Sequence, residues 1–286
     1  MNVTLLDSAS AFLNETELLR ASDPFRTNIL GSVASSVANG TRTYEKYFWW
    51  VIANENGEII GAAMRTAPHG MLLSPMPLGA ARDLALAVSL HDRELPEAAG
   101  PSTVIEEFMR AYRDSGTGES QRSTEEVGHE LLYTLTNLRI PSVAGVMENA
   151  KRDDYQKIYA WYVEFGNEAG LIMPNLEESI EDSLNRESLK FWRVENEIVS
   201  MAGHAPLVIT PSGTVGRIGP VYTPPTHRRH GYAGVLTAQL SQELMNQGTR
   251  VMLFTDAKNP TSNSVYQNIG YELLDENKKF KFVGPE

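Results

Sequence analysis

Two stretches of this chain follow the same grammar about half a chain length apart, and this repetition restricts the fold more than any other feature. The first runs from Tyr47-Phe48-Trp49-Trp50 through Glu58-Ile59-Ile60-Gly61-Ala62-Ala63 to Leu73-Ser74-Pro75-Met76. The second runs from Lys190-Phe191-Trp192-Arg193 through Glu197-Ile198-Val199-Ser200-Met201-Ala202 to Ile218-Gly219-Pro220-Val221. Each reads as an apolar strand, a turn, a second apolar strand, a loop, and a short strand that carries proline. Asn54-Glu55-Asn56-Gly57 has the composition of a hairpin turn. The 286 residues are enough for two domains of roughly 100–200 residues each. We therefore expect two α/β domains, residues 1–138 and 139–286, with the break near Leu138-Arg139-Ile140-Pro141. Around that break, Glu130 to Leu135 and Val143 to Met147 read as strands. Asp153 to Glu168 reads as a helix with Tyr155, Ile158, Tyr159, Tyr162 and Phe165 at helical spacing. Arg113 to Ser120 has the composition of a surface loop.

Composition removes several function classes. The formal net charge of −11 argues against broad nucleic-acid binding, which needs a basic face. The absence of cysteine excludes disulfides, thiolate nucleophiles and cysteine zinc sites. The six histidines lack metal-ligand spacing such as H-E-x-x-H, so no metal is expected. No leader and no bilayer-spanning apolar run are read from the sequence, so we expect a cytoplasmic protein with no membrane partner. Self-association as a homo-oligomer is left open.

Gly216 to Tyr271 carries the chemistry. A short β-rich run, Ile218-Gly219-Pro220-Val221-Tyr222-Thr223, is followed by the stiff connector Pro224-Pro225-Thr226-His227, which cannot continue a ladder. Arg228-Arg229-His230-Gly231-Tyr232-Ala233-Gly234 then opens a helix with Ala233, Leu236, Leu240 and Leu244 on one face, ended by Gly248. Val251 to Thr255 reads as a buried strand. Asn259-Pro260 supplies an N-cap and a first helical residue for another helix, which ends by Gly270. A strand, a small-residue turn and a helix make a phosphate-binding arrangement, because a helix N-terminus presents free N–H groups and partial positive charge. Small residues at 231 and 233 let the backbone approach phosphate, and Arg228 and Arg229 add charge. Taken alone, this is equally a glycine-containing turn with solvated arginines.

In context, Arg228-x-x-Gly231-x-Ala233 after the Gly-Pro-Val-Tyr-Thr strand resembles the pyrophosphate-binding motif of the GNAT acetyltransferase superfamily. The run from Asn259 to Tyr271 resembles that family's next motif, and order and spacing both match. The resemblance implies an α/β fold of two GNAT-like halves, each a mixed, mostly antiparallel sheet flanked by helices. It implies acetyl-CoA as coenzyme and a small-molecule or peptide amine as acceptor. It places the pantetheine on Gly219, Pro220, Val221 and Tyr222, and the pyrophosphate over Arg228, Arg229, His230, Gly231, Tyr232, Ala233 and Gly234. Asn259 and Ser262 lie near the coenzyme, and Tyr266 corresponds to the general acid. N–H groups near Val221 would polarise the carbonyl under direct attack by the amine. The N-terminal half departs from the pattern: Pro77-Leu78-Gly79-Ala80-Ala81-Arg82-Asp83-Leu84 lacks the arginine–glycine turn, and nothing matches Asn259 to Tyr266. That half is expected to be a degenerate domain without a coenzyme site.

Other residues are read more plainly. His204 is read as a structural histidine, with deprotonation of the substrate ammonium as the alternative; His227 and His230 are read as neighbours of the turn; Glu164 and Glu168 could face a substrate cleft, but solvated helix carboxylates are commoner and they are left out of the site. Trp49, Trp50, Trp161 and Trp192 are assigned to core or interface. An acyl-CoA-binding sensor without turnover, or an N-acyltransferase for another acyl group, remains an alternative on the same scaffold.

Overall fold

Aromatic and β-branched residues crowd the strands because both faces of the sheet are covered. In the computed structural model, which describes residues 1–92, 95–115, 123–170 and 175–283, contacts divide the chain into two units. One unit comprises residues 1–132, 208–213 and 275–286, and the other residues 133–207 and 214–274. The split falls a few residues before the expected break, and two later segments return to the first unit. Gly116 to Ser120 of the expected loop lie outside the described residues.

The first unit contains β1 (Asn2–Leu6), α1 (Ala9–Glu15), α2 (Glu17–Ser22), α3 (Asn28–Ala38), β2 (Tyr47–Ala53), β3 (Ile59–Thr66), β4 (Met71–Leu73), α4 (Leu78–His91), β5 (Glu97–Pro101), α5 (Ser102–Asp114) and most of β6 (Ser123–Leu135). β1, β2, β3 and β4 pair antiparallel in turn, and β4 pairs parallel with β5. Side chains alternate between two cores. Trp50, Ile52, Ala63 and Leu73 join α4 and α5, whereas Trp49, Val51, Ala62 and Met64 join α1 and α3. This two-sided burial explains the continuous apolar run of β2. At the hairpin, Gly57 takes φ +81° while the Asn54 side chain accepts the N–H groups of Asn56 and Glu58.

The second unit repeats this order. After β7 (Val146–Asn149) come α6 (Tyr155–Ala169), α7 (Leu176–Asn185), β8 (Leu189–Val194) and β9 (Glu197–His204). β10 (Val208–Thr210) belongs to the first unit, and β11 (Gly213–Tyr222), α8 (Tyr232–Asn246), β12 (Arg250–Asp256) and α9 (Pro260–Asn268) follow. β7, β8, β9 and β11 pair antiparallel in turn and β11 pairs parallel with β12, the same senses as β1 to β5. β7 starts three residues later than the strand expected from the sequence, and α6 follows a short 3₁₀ turn at Arg152–Asp154. Leu189 and Phe191 of β8 pack with α6 and α7, while Lys190 between them reaches Glu243 of α8 at 2.8 Å. The two helical layers therefore lie on opposite faces of this sheet.

β13 (Tyr271–Val283) begins in the second unit and ends in the first, where Asn277–Lys281 pair antiparallel with Glu97–Pro101. Phe280 and Phe282 pack there against the α4–α5 core. Among the described residues, no helix is long and apolar enough to cross a membrane, and no cluster of histidine and carboxylate side chains is arranged to hold a metal.

Candidate coenzyme site

The second sheet opens at a Gly-Pro pair. The parallel ladder of β11 and β12 runs from Val215–Arg250 to Ile218–Leu253 and stops, while β11 continues for four residues. On its other side β11 steps from Ile218 opposite His204 to Val221 opposite Ala202, so Gly219 and Pro220 stand against Gly203 alone. This is a bulge. Gly219 takes φ +149°, which L side chains rarely adopt, and Pro220 has no N–H for a ladder. The local sequence thus bends β11, and Gly219, Pro220, Val221 and Tyr222 lie beyond its pairing with β12.

The strand leads through Thr223 and a 3₁₀ turn at Pro225–His227 to the turn before α8. Arg229 and Gly231 adopt φ +66° and +81°. α8 has no side-chain cap, and its first bond runs from Val235 N–H to the Gly231 carbonyl at 3.0 Å. The N–H groups of Tyr232, Ala233 and Gly234 therefore precede the intrahelical ladder. A Cβ on Gly234 would come within 3.4 Å of Val265, so the missing side chain lets α8 lie close to α9. His230 is exposed and stacks on Tyr232 with ring centroids 5.4 Å apart, while His227 sits 3.3 Å from Glu197.

The two arginines differ. Arg228 donates through Nε to the Thr223 carbonyl at 2.8 Å and through a terminal nitrogen to both Glu168 oxygens at 2.7 and 2.8 Å. Arg229 is exposed and makes no ion pair among the described residues. Glu168 and Glu164 are both exposed, yet each is bonded near the freed strand, Glu168 to Arg228 and Glu164 through Oε2, which accepts the Tyr222 hydroxyl at 2.6 Å. Sequence reasoning missed both because they lie 60 and 58 residues before their partners, on a helix without a motif.

On α9 the Asn259 side chain accepts the Ser262 N–H at 3.0 Å, so these two residues cap the helix. Asn263 was also missed. Its Nδ2 donates to the Asp256 carbonyl at 3.2 Å, yet its Oδ1 is buried without a partner. Tyr266, three residues on and on the same side of the helix, is 8% exposed, and its hydroxyl has no hydrogen bond among the described residues. Burial pushes its phenol up to about 12. His204 Nδ1 lies 2.8 Å from the Ala205 carbonyl, and burial lowers its basicity, as suits a structural histidine.

In the first unit the equivalent parallel ladder is two pairs long. β4 and β5 pair at Met71–Ala98 and Leu72–Ala99, and a Cβ on Gly100 would meet Leu73 at 3.0 Å. Beyond β4 the Ser74 N–H donates to Ala62 at 2.8 Å and its hydroxyl accepts the Ala62 N–H at 2.9 Å, keeping the chain on β3. A cavity of about 600 Å³ in this unit lies instead against Lys46, Phe48, Arg65, Leu90 and Asp92.

The FR47-like protein family matches residues 202–280, spanning the bulge, the turn and α9. Among curated proteins nothing matches the sequence. Solved structures match both units together. A GCN5-related N-acetyltransferase from Sphaerobacter thermophilus is 13% identical over 99% of this chain and 96% of its own, with a TM-score of 0.67. A GNAT-family acetyltransferase from Colwellia psychrerythraea is 13% identical over 99% and 100%, with a TM-score of 0.59. A tandem GNAT protein from the clavulanic acid biosynthesis pathway is 10% identical over 100% and 99%, with a TM-score of 0.56. The fold is that of the GNAT superfamily, in tandem. The repeated strands of the sequence are the equivalent strands of two GNAT-like halves. The α4 helix of the first half also starts without a side-chain cap, so what sets the second half apart is the arginine–glycine turn and the bulge of β11 before it.

Proposed function

We propose that the second GNAT half binds acetyl-CoA and transfers its acetyl group to a primary amine. The observation that carries this reading is the coincidence, on one stretch of chain, of a strand freed from its neighbour and an uncapped helix start. Gly219 to Tyr222 can offer N–H and C=O groups to the pantetheine amides. The N–H groups of Tyr232, Ala233 and Gly234, with Arg229 beside them, suit a pyrophosphate. The orphaned Oδ1 of Asn263 needs a donor, and a pantetheine N–H is one. Asn259 and Ser262 hold the end of α9 in place and act on the coenzyme through that helix.

Acetyl-CoA supplies an activated acetyl group as a thioester. The protein orients that group and handles charge. The Val221 N–H stabilises the negative charge that grows on the carbonyl oxygen during attack by the amine nitrogen. Tyr266, neutral and buried, donates a proton to the departing sulfur, and the proton given up by the acetylated nitrogen restores the phenol, so the products are the amide and the free thiol. No side-chain nucleophile is required, in keeping with a chain without cysteine. Incubation with acetyl-CoA and a panel of amines, following free thiol, tests the reading. Amine-dependent thiol release is expected. Saturable coenzyme binding with no turnover on any amine would instead identify a sensor.

Calorimetry should find one acetyl-CoA per chain, since only the second half carries the arginine–glycine turn. Gly231→Asp is expected to weaken that binding at least tenfold, roughly 1.4 kcal/mol. A carboxylate would repel the pyrophosphate, and its Cβ would stand 3.2 Å from a Val143 methyl. Aspartate tolerates the left-handed φ of +81° better than most residues, so the protein should stay folded. Unchanged affinity in the folded variant would remove the phosphate assignment.

A further inference from the structure

Two carboxylates one turn apart on α6 reach the same coenzyme segment, and they differ in charge balance. Both oxygens of Glu168 take the Arg228 guanidinium, so its charge is neutralised. Glu164 has no cation within ion-pair distance among the described residues. Its one partner is the Tyr222 hydroxyl at 2.6 Å. Tyr222 is 4% exposed, and burial together with Glu164 itself drives its ionisation far up. The phenol is therefore a neutral donor, which aims the carboxylate without cancelling its charge. The other oxygen of Glu164 makes no hydrogen bond among the described residues, and the side chain is exposed.

Position adds direction. Tyr222 packs with Trp161 and Ile158 in the α6–α7 core, whereas α8, whose first turn suits the pyrophosphate, lies on the opposite face of the sheet. In the coenzyme reading the phosphates lie at the start of α8, and Glu164 approaches the freed strand from α6. Tyr222 directly follows Val221 on the freed strand. An aimed carboxylate with no ion pair among the described residues therefore stands beside the proposed transfer point, the nearest cation shown being the Arg228 guanidinium 5.9 Å from the Tyr222 ring.

We infer that Glu164 is the seat for the acceptor's positive charge, and that the acceptor is a cationic amine whose ammonium group docks on the free carboxylate oxygen. This rests on the coenzyme reading above. Tyr222 is the positioning residue, fixing one oxygen so that the other is presented. Glu168 has no such capacity while Arg228 holds it.

The experiment titrates the full-length protein with 1,4-diaminobutane by calorimetry, with and without coenzyme A. Wild type, Glu164→Gln and Glu178→Gln are compared. Glutamine keeps an oxygen for Tyr222 and removes the charge. Glu178 is an exposed carboxylate of α7 and controls for net charge. Glu164→Gln should weaken diamine binding at least about tenfold, in keeping with the loss of a charge-assisted hydrogen bond. Glu178→Gln should bind as wild type does, and coenzyme A affinity should be the same in all three. Equal diamine binding by wild type and Glu164→Gln overturns the inference. So does an equal loss in Glu178→Gln, or no diamine binding by wild type. Glu164-dependent binding without acetylation of any amine would leave the seat standing and refute acetyl transfer instead.

Discussion

Tyr266→Phe is expected to lower turnover about 10²-fold, roughly 2.7 kcal/mol of barrier, with acetyl-CoA affinity nearly unchanged. The substitution removes one oxygen from a ring that is otherwise fixed by packing, its centroid 6.1 Å from that of Tyr271. That oxygen makes no hydrogen bond among the described residues, so its loss breaks none of the contacts described. The variant should therefore be about as stable as wild type. Lower activity at equal melting temperature distinguishes a proton donor from a packing residue. The pH dependence follows from the same burial. A phenol pushed up to about 12 stays almost wholly protonated through pH 10, so its ionisation should cause no loss of turnover between pH 7 and 10. A decline in that range that vanishes in Tyr266→Phe would mean the group titrates as an exposed phenol does. Full activity in Tyr266→Phe would remove the acid from the proposed mechanism.

Gly270→Ala is expected to destabilise the second unit by about 3 kcal/mol or more. Gly270 holds φ +105° at the turn between α9 and β13, and a Cβ there would lie 1.8 Å from the Asn137 carbonyl oxygen and 2.6 Å from its carbon. The obstacle is backbone, which cannot rotate aside. The segment is also pinned, since Arg139 N–H donates to the Ile269 carbonyl at 2.9 Å and its guanidinium to the Gln267 carbonyl at 2.9 Å. Gly57→Ala makes the comparison sharp. Its φ of +81° carries a similar conformational cost, but a Cβ there meets nothing within 4 Å, so the loss should stop at about 1 kcal/mol. Chemical denaturation of the two variants reads the difference. Equal losses would show that the Asn137 contact gives way.

How much of this was legible in the sequence depends on the range of the interaction. The Asn54–Gly57 hairpin, the Asn259-Pro260 helix start and the Gly-Pro bend of β11 are set by a few adjacent residues, and their backbone chemistry can be read directly. The paired apolar runs of β2 and β8 gave the duplication, because strands covered on both faces lose their alternation in the same way. The partners of Glu164 and Glu168 could not be read, because a carboxylate on a helix face has the same spacing whether it meets water or a tyrosine. Asn263 escaped notice since its orphaned oxygen becomes a signal only when burial is known. The single break expected near residue 138 missed the return of Asp275 onward to the first unit, because nothing in β13 names β5 as its partner.

That return has a consequence for how the protein is made. The Ser102 hydroxyl bonds the Glu276 carbonyl across 174 residues, and Phe282 lies 5.0 Å from Tyr112. At a synthesis rate of about 5–20 residues per second, the ribosome needs about 9–35 s to travel that distance. Throughout this interval β5 has emerged without its neighbour, and the α4–α5 core lacks the aromatic side chains of Phe280 and Phe282. An open strand edge of this kind invites pairing with another nascent chain. The unit translated first is thus the one completed last. A message truncated shortly before β13 would yield a protein with the arginine–glycine turn translated in full and its N-terminal sheet unfinished.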